Sequence, residues 1–234
     1  LGDAVASALA QDYPRIEICI VDDASTDDSW SVIAALAARK PDVVTAIRHP
    51  ENLGQLAAVK TGLLHTSGPF VVILDADDML LPGFASAHVA AHLNNAVAAA
   101  VSTADMAQID GAGRFLAGTK SSIDRPRIVG RPTHELNPLV RPAGAADDDP
   151  ALRARADDLL YLEPAVIGWH WSPTSGNMLR RAGIDLAMLD DCSPIRRSVD
   201  CYLLPVLHAM SGTLVLPRPL SLYRRHGENG FGRN

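Results

Sequence analysis

The sequence predicts an α/β fold, a mostly parallel sheet with helices on both faces, and three observations point there. Strand-like and helix-like runs alternate through the first hundred residues, the strand runs are apolar throughout, and acidic clusters close two of them. Strands that are apolar on both faces must be buried on both, and parallel neighbours need a crossover, which the intervening helices supply.

Taken in order, "IEICIV" (16–21) is β-branched and apolar, and "DDSWSVIAALAARK" (27–40) sets Trp30, Ile33, Ala34 and Ala37 at helical spacing. "VVTAI" (43–47) reads as a strand, "NLGQLAAVKTGLLHT" (52–66) as a helix, "PFVVIL" (69–74) as a strand, "GFASAHVAAHL" (83–93) as a helix and "AVAAAVS" (96–102) as a strand. The pattern then changes. "ADMAQIDGAGRFLAG" (104–118) looks like a hairpin around Asp110-Gly111, and residues 121–150, rich in Pro, Arg, Gly and Asp, read as a loop or flap. "DDDP" (147–150) lacks a supporting strand and reads as solvated. "SVDCYLLPVLHAM" (198–210) is a helix with Pro205 as a potential kink, its stripe formed by Val199, Tyr202, Leu203, Val206 and Leu207. "GTLVLP" (212–217) is a strand, and a polar tail follows.

The 234 residues suit one domain. A net charge of -6 and a pI near 5.7 argue against nucleic acid or an anionic membrane as the main partner. Three scattered cysteines (Cys19, Cys192, Cys201) make no disulfide framework or zinc site, so a reducing compartment is expected. No apolar run approaches the length that spans a bilayer, and residues 1–12 lack a signal-peptide pattern. The expected location is cytoplasmic, or peripheral to the cytoplasmic membrane face.

In parallel sheets, ligands bind outside the carboxyl ends of the strands. Asp22 and Asp23 close one strand, and Asp75, Asp77 and Asp78 close another, so both clusters fall on one rim. Such carboxylates repel one another unless a cation sits among them. Hard divalent cations take oxygen ligands, and Mg²⁺ in particular uses few carboxylates together with substrate phosphates. The rim therefore suits a metal and a diphosphate, and a rim mobile without them is expected. The plainer alternative is a capped helix after "DDASTDD" and a solvated turn at "DADD".

"ICIVDDASTDDSW", "ENLGQLAAVKTGL" and "VVILDADDML" resemble, in order and spacing, the nucleotide-binding half of family 2 glycosyltransferases of the GT-A fold. "WHWSPTSGNMLRRAG" (169–183), "SVDCYL" (198–203) and "LYRRHGENG" (222–230) resemble their acceptor segment, base-bearing segment and closing loop. The resemblance implies a nucleotide-sugar-binding half over 1–103 and an acceptor-binding and catalytic-base half of the same domain over 104–234, with a flexible loop at about 119–165. It implies donor contacts from Asp22, Asp23, Asn52, Lys60, Asp75 and Asp77, with Asp22 or Asp23 at the nucleoside and Asp75 at the ribose. Asp77 and His226 would meet Mn²⁺ or Mg²⁺, Asp200 would be the general base, and Trp169, Trp171, Gly176 and Asn177 would face the acceptor. The implied reaction is an inverting, metal-dependent transfer from a nucleotide-diphosphate sugar, a UDP-sugar foremost, to a carbohydrate, lipid or protein hydroxyl.

Each residue also has a structural reading. Ser198 looks like an N-cap, so Asp200 would favourably meet the helix dipole. Trp169 and Trp171 also read as core. Lys60 falls on the apolar stripe of its helix, formed by Leu53, Leu56, Ala57, Leu63 and Leu64, and either snorkels outward or turns to ligand phosphates. Two departures from the family pattern stand out: the strand that usually opens the fold is missing before "LGDAVASALAQDYP", and Val199-Asp200 replaces the usual Glu-Asp. A nucleotidyltransferase of similar fold and a non-catalytic nucleotide-sugar-binding fragment remain alternatives.

Overall fold

The structure is a computed structural model that describes residues 1–93, 97–119, 131–132 and 159–226, with side chains outside 117–119 and 131–132. Most of the expected loop at 119–165, "DDDP" and the tail beyond His226 lie outside the described residues.

Helix α1 (Gly2–Leu9) opens the chain, followed by β1 (Ile18–Asp22), α2 (Ser29–Arg39), β2 (Val44–Arg48), α3 (Gln55–Leu64), β3 (Phe70–Val71), β4 (Met79–Leu80) and α4 (Phe84–Leu93). The second half contains β5 (Val101–Asp110), β6 (Phe115–Thr119), β7 (Arg131–Pro132), β8 (Leu160–Leu162), β9 (Asn177–Arg180), α5 (Arg181–Ala187), α6 (Val199–Ser211) and β10 (Thr213–Arg225). The hairpin at Asp110 forms as its turn residues predict: Asp110 Oδ1 accepts the backbone N–H groups of Ala112 and Arg114, and Ile109 pairs with Phe115.

The strands divide into two sheets. Among the described residues, β1 and β2 form a parallel pair, and the others form an eight-stranded sheet with main order β3-β9-β5-β10-β8-β7. Among the described residues of the larger sheet only β5 and β10 run parallel, so the expectation of a mostly parallel sheet is corrected. Apolar runs report burial on both faces, a condition that an antiparallel ladder covered by helices on both sides also meets. The last strand also exceeds the expected 212–217. It runs to Arg225 alongside β5, with register shifts between Leu216 and Ser221 where Pro217 and Pro219 fall. The expected strand at 69–74 joins a ladder only at Phe70 and Val71, through β9.

Alternation along β9 shows that both faces of the sheet are covered. Leu179 joins a cluster with Leu56, Val101, Ile184, Val199, Leu203 and Leu207, under α3, α5 and α6. Its neighbour Met178 joins Phe84, Val89, Leu214 and Leu216, under α4. On α3 only Leu56 is fully buried; Leu53 and Leu64 are exposed, against the expected stripe.

Candidate active site

The N-terminus of α3 is the junction of the site. Gly54 precedes it with φ 95°, a conformation that favours glycine, and a Cβ there would lie 2.7 Å from the Arg196 Cα. The loop before α6 therefore packs directly on the α3 backbone. Gln55 N–H donates to Arg196 O and Leu56 N–H to Ile195 O, while Arg196 Nη2 returns to Asn52 O and Oδ1, both at 2.7 Å.

The first acidic pair shapes this junction. Asp22 is 2% exposed; its Oδ1 accepts the Ser25 N–H, and Arg48 Nε lies 3.1 Å from Oδ2, an ion pair without hydrogen-bond alignment. Asp23 accepts the N–H groups of Leu53 and Gly54 at 2.8 Å each and sits 2.7 Å from His49 Nδ1. Burial works to raise its pKa, but the hydrogen bonds from His49, Leu53 and Gly54 outweigh it and hold the carboxyl below the usual value. Asn52 Nδ2 donates to Asp23 O. Both aspartates thus have defined work within the chain.

Lys60 neither snorkels freely nor faces the acidic cluster. Its ammonium donates to Leu189 O and Asp190 O, 3.0 Å each, bracing the loop before α6. The structure assigns it a strut's role where the sequence left snorkelling or a phosphate contact open.

Asp75 keeps partial solvent access, yet burial first, and then the charges of Asp78, Asp77 and Asp200, push its pKa up to about 7 against the lowering bond from Thr174. Its backbone N–H donates to Ser175 Oγ, and its Oδ1 receives Gln55 Nε2. The expected mutual repulsion is therefore real, but the turn is braced from within. Arg224 donates its own N–H to Asp78 Oδ1, its Nε to Asp77 O, Nη1 to Gly111 O and Nη2 to Asp3 Oδ2. These bonds fix the backbone of the turn and leave the repulsion among its carboxyl groups in place. Asp78, 1% exposed, orients the turn by receiving the Arg224 amide.

Asp77 Oδ2 and His226 Nε2 lie 2.8 Å apart. Among the described residues no group of three or more His, Cys, Asp and Glu is arranged to hold a metal. One carboxylate and one imidazole fit a cation that draws most of its ligands from a diphosphate and water, and imidazole favours Mn²⁺ over the harder Mg²⁺.

Asp200, 6% exposed, sits in the first turn of α6 and accepts the Cys201 N–H. Ser198 does not cap that helix: it lies at φ 55° with no capping bond from its hydroxyl. A small cavity joins Asp200 to Thr174, Asn177, Ile73 and Leu203. Asn177 is buried and donates to the carbonyls of Ser172, Pro173 and Thr174, while its Oδ1 has no protein partner. Gly176 is required by packing, since a Cβ would fall 2.5 Å from Ser172 Cβ. Trp171 is a core residue, 2% exposed and bonded through Nε1 to Thr213 Oγ1, so it offers no face to a ligand. Trp169 packs edge-on against it at 5.3 Å and is 41% exposed, so it alone of the two can meet a sugar.

Gln55, Arg224, Arg196 and Ser175 escaped the sequence reading. Gln55 carried one signal, an amide at the first helical position after a glycine; the others are polar residues whose partners lie far away in sequence.

A family model described as "Glycosyl transferase family 2" matches residues 1–159. The chain belongs to this family. An uncharacterised glycosyltransferase of Nostoc sp. is 27% identical over 98% of this chain and 62% of its own length. The Escherichia coli UDP-Glc:alpha-D-GlcNAc-diphosphoundecaprenol beta-1,3-glucosyltransferase WfaP is 38% identical over 32% of this chain and 28% of its own. Staphylococcus aureus TarS, solved with UDP-GlcNAc, superposes with a TM-score of 0.63 at 13% identity, over all of this chain and 57% of that one. That likeness shows a shared GT-A fold. The chain thus spans less than two thirds of the Nostoc relative and of TarS.

Proposed function

We propose that this chain carries the catalytic centre of an inverting, metal-dependent glycosyltransferase that moves a sugar from a nucleotide diphosphate to a hydroxyl acceptor. The observation that carries the reading is that Asp200, from the second half, lies close enough to Asp75 for its charge to act on it, with one side chain bonded to both segments. TarS, solved with UDP and with UDP-GlcNAc, supports a uridine diphosphate donor.

In this reading Asp75 receives the ribose hydroxyls, and Asp22 and Asp23 hold the loop that borders the nucleoside. Asp77 and His226 would hold Mn²⁺ or Mg²⁺, which when bound offsets the charge developing on the departing diphosphate. Asp200 takes the proton from the acceptor hydroxyl as that oxygen attacks the anomeric carbon from the face opposite the diphosphate, which inverts the centre. Trp169 offers an apolar face to the acceptor sugar. Two variants test the reading: Asp200→Asn should abolish transfer while retaining nucleotide binding, and Asp77→Ala should lose the metal dependence of UDP affinity. Transfer by Asp200→Asn at the parent rate would overturn the base assignment, and unchanged metal-dependent affinity in Asp77→Ala would overturn the metal assignment.

A further inference from the structure

Helix α6, which presents Asp200, begins without a cap of its own. The first N–H groups of a helix have no intrahelical partner and are normally met by the side chain of the N-cap residue. Ser198 makes no such bond. The Val199 N–H donates instead to Gln55 Oε1 at 3.0 Å, from a residue 144 positions earlier. The other end of the same amide, Nε2, donates to Asp75 Oδ1 at 3.3 Å.

We propose that Gln55 is a positioning residue that ties Asp75 to the start of α6, so that occupation of the donor site fixes the helix turn presenting Asp200. This rests on the donor and base assignments made above. The chemistry of the side chain fits the task. An amide donates and accepts at once, whereas glutamate cannot donate, lysine cannot accept, and asparagine is one methylene shorter. It is also neutral. A lysine or arginine between the two carboxylates would lower the proton affinity of both and weaken Asp200 as a base. The reach is fixed at both ends: Gln55 N–H is held by Arg196 O, Leu56 N–H by Ile195 O, and the Asp75 N–H by Ser175 Oγ. A ligand that orders Asp75 would thereby order the Gln55 amide and the first turn of α6.

Hydrogen exchange at the amides of residues 199–202, measured on the whole chain with and without UDP and Mn²⁺, tests this in Gln55→Met and Gln55→Glu. In the parent, protection of these amides rises when UDP binds. Gln55→Met keeps the volume and loses both bonds, so protection falls, the response to UDP disappears, and kcat drops about tenfold or more with a smaller change in donor KM. Gln55→Glu keeps an oxygen for Val199 but sets a charge beside Asp75. Unliganded protection there stays near the parent value, while UDP affinity weakens about tenfold. Should Gln55→Met fail to fold, Gln55→Glu carries the test: parental UDP affinity and parental response to UDP in that variant overturn the coupling. A Gln55→Met chain that folds and retains parental protection, UDP response and kcat overturns it as well. A parent that binds no UDP by calorimetry overturns the glycosyltransferase reading, and the coupling with it. A parent that binds UDP while these amides ignore it overturns the coupling alone.

Discussion

At the scale of single residues, Cys201 is a built-in reporter on its neighbour. The thiol is exposed, and its pKa is raised by burial first and then by the charge and hydrogen bonding of Asp200. The thiolate is the reactive form. Removing the charge in Asp200→Asn should therefore lower the thiol pKa and speed alkylation by iodoacetamide at pH 8 roughly threefold or more. Equal rates in the two chains would mean that Asp200 exerts no field at that thiol. The carboxylates themselves were legible in the sequence because they terminate apolar strands, and a strand end has few other uses for clustered charge. What holds those segments in place was not legible. Arg224 lies more than 140 positions from Asp77, and Gln55 the same distance from Val199, so no local pattern announces either pair.

At the scale of elements, the close approach at Gly54 gives the sharpest expectation. Gly54→Ala forces a side chain into a positive φ and against the Arg196 backbone, so it should cost about 2 to 4 kcal/mol by denaturant titration. A loss under about 0.5 kcal/mol would mean that the loop before α6 yields freely. Helix α4 makes a second, pH-dependent contribution. Ser102 Oγ bridges His88 Nδ1 and His92 Nε2 within the core. Burial first, helped by Arg180 near His92, lowers the His92 pKa to about 4, and burial, then His92 and Arg218, lowers that of His88 well below its ordinary value. Both rings are neutral in the folded chain, while the unfolded chain takes up their protons near pH 6.5. Their stabilisation is complete above that pH and fades as the pH falls, with the His92 share, about 3 kcal/mol, lost by pH 4. His92→Phe should flatten that slope in melts run from pH 7 to 4.5, and an unchanged slope would exclude His92 as its source. Helices α2, α3, α4 and α6 were readable in the sequence, although the buried stripe of α3 was not, and α1 and α5 were not read from spacing; nor was the direction of the strands, because burial on two faces looks alike in parallel and antiparallel ladders.

At the scale of the whole molecule, α3 holds the two halves together. Its start meets Ile195 and Arg196, Lys60 in its middle meets Leu189 and Asp190, and Arg181 donates to Leu63 O, Thr66 Oγ1 and Gly68 O at its end. Two halves so laced should unfold as one unit, with tryptophan fluorescence and far-ultraviolet circular dichroism giving coincident transitions. Two separated transitions would show that the lacing is weak. The division of the strands into two sheets has a different consequence. Among the described residues, β1 is paired on one side alone, by β2, and β3 by β9. Unpaired backbone donors and acceptors along a strand are a template for any extended polypeptide, including another copy of the same chain. Solutions of this chain should therefore grow more turbid with concentration, and a competing β-forming peptide that occupies the template should keep them clear.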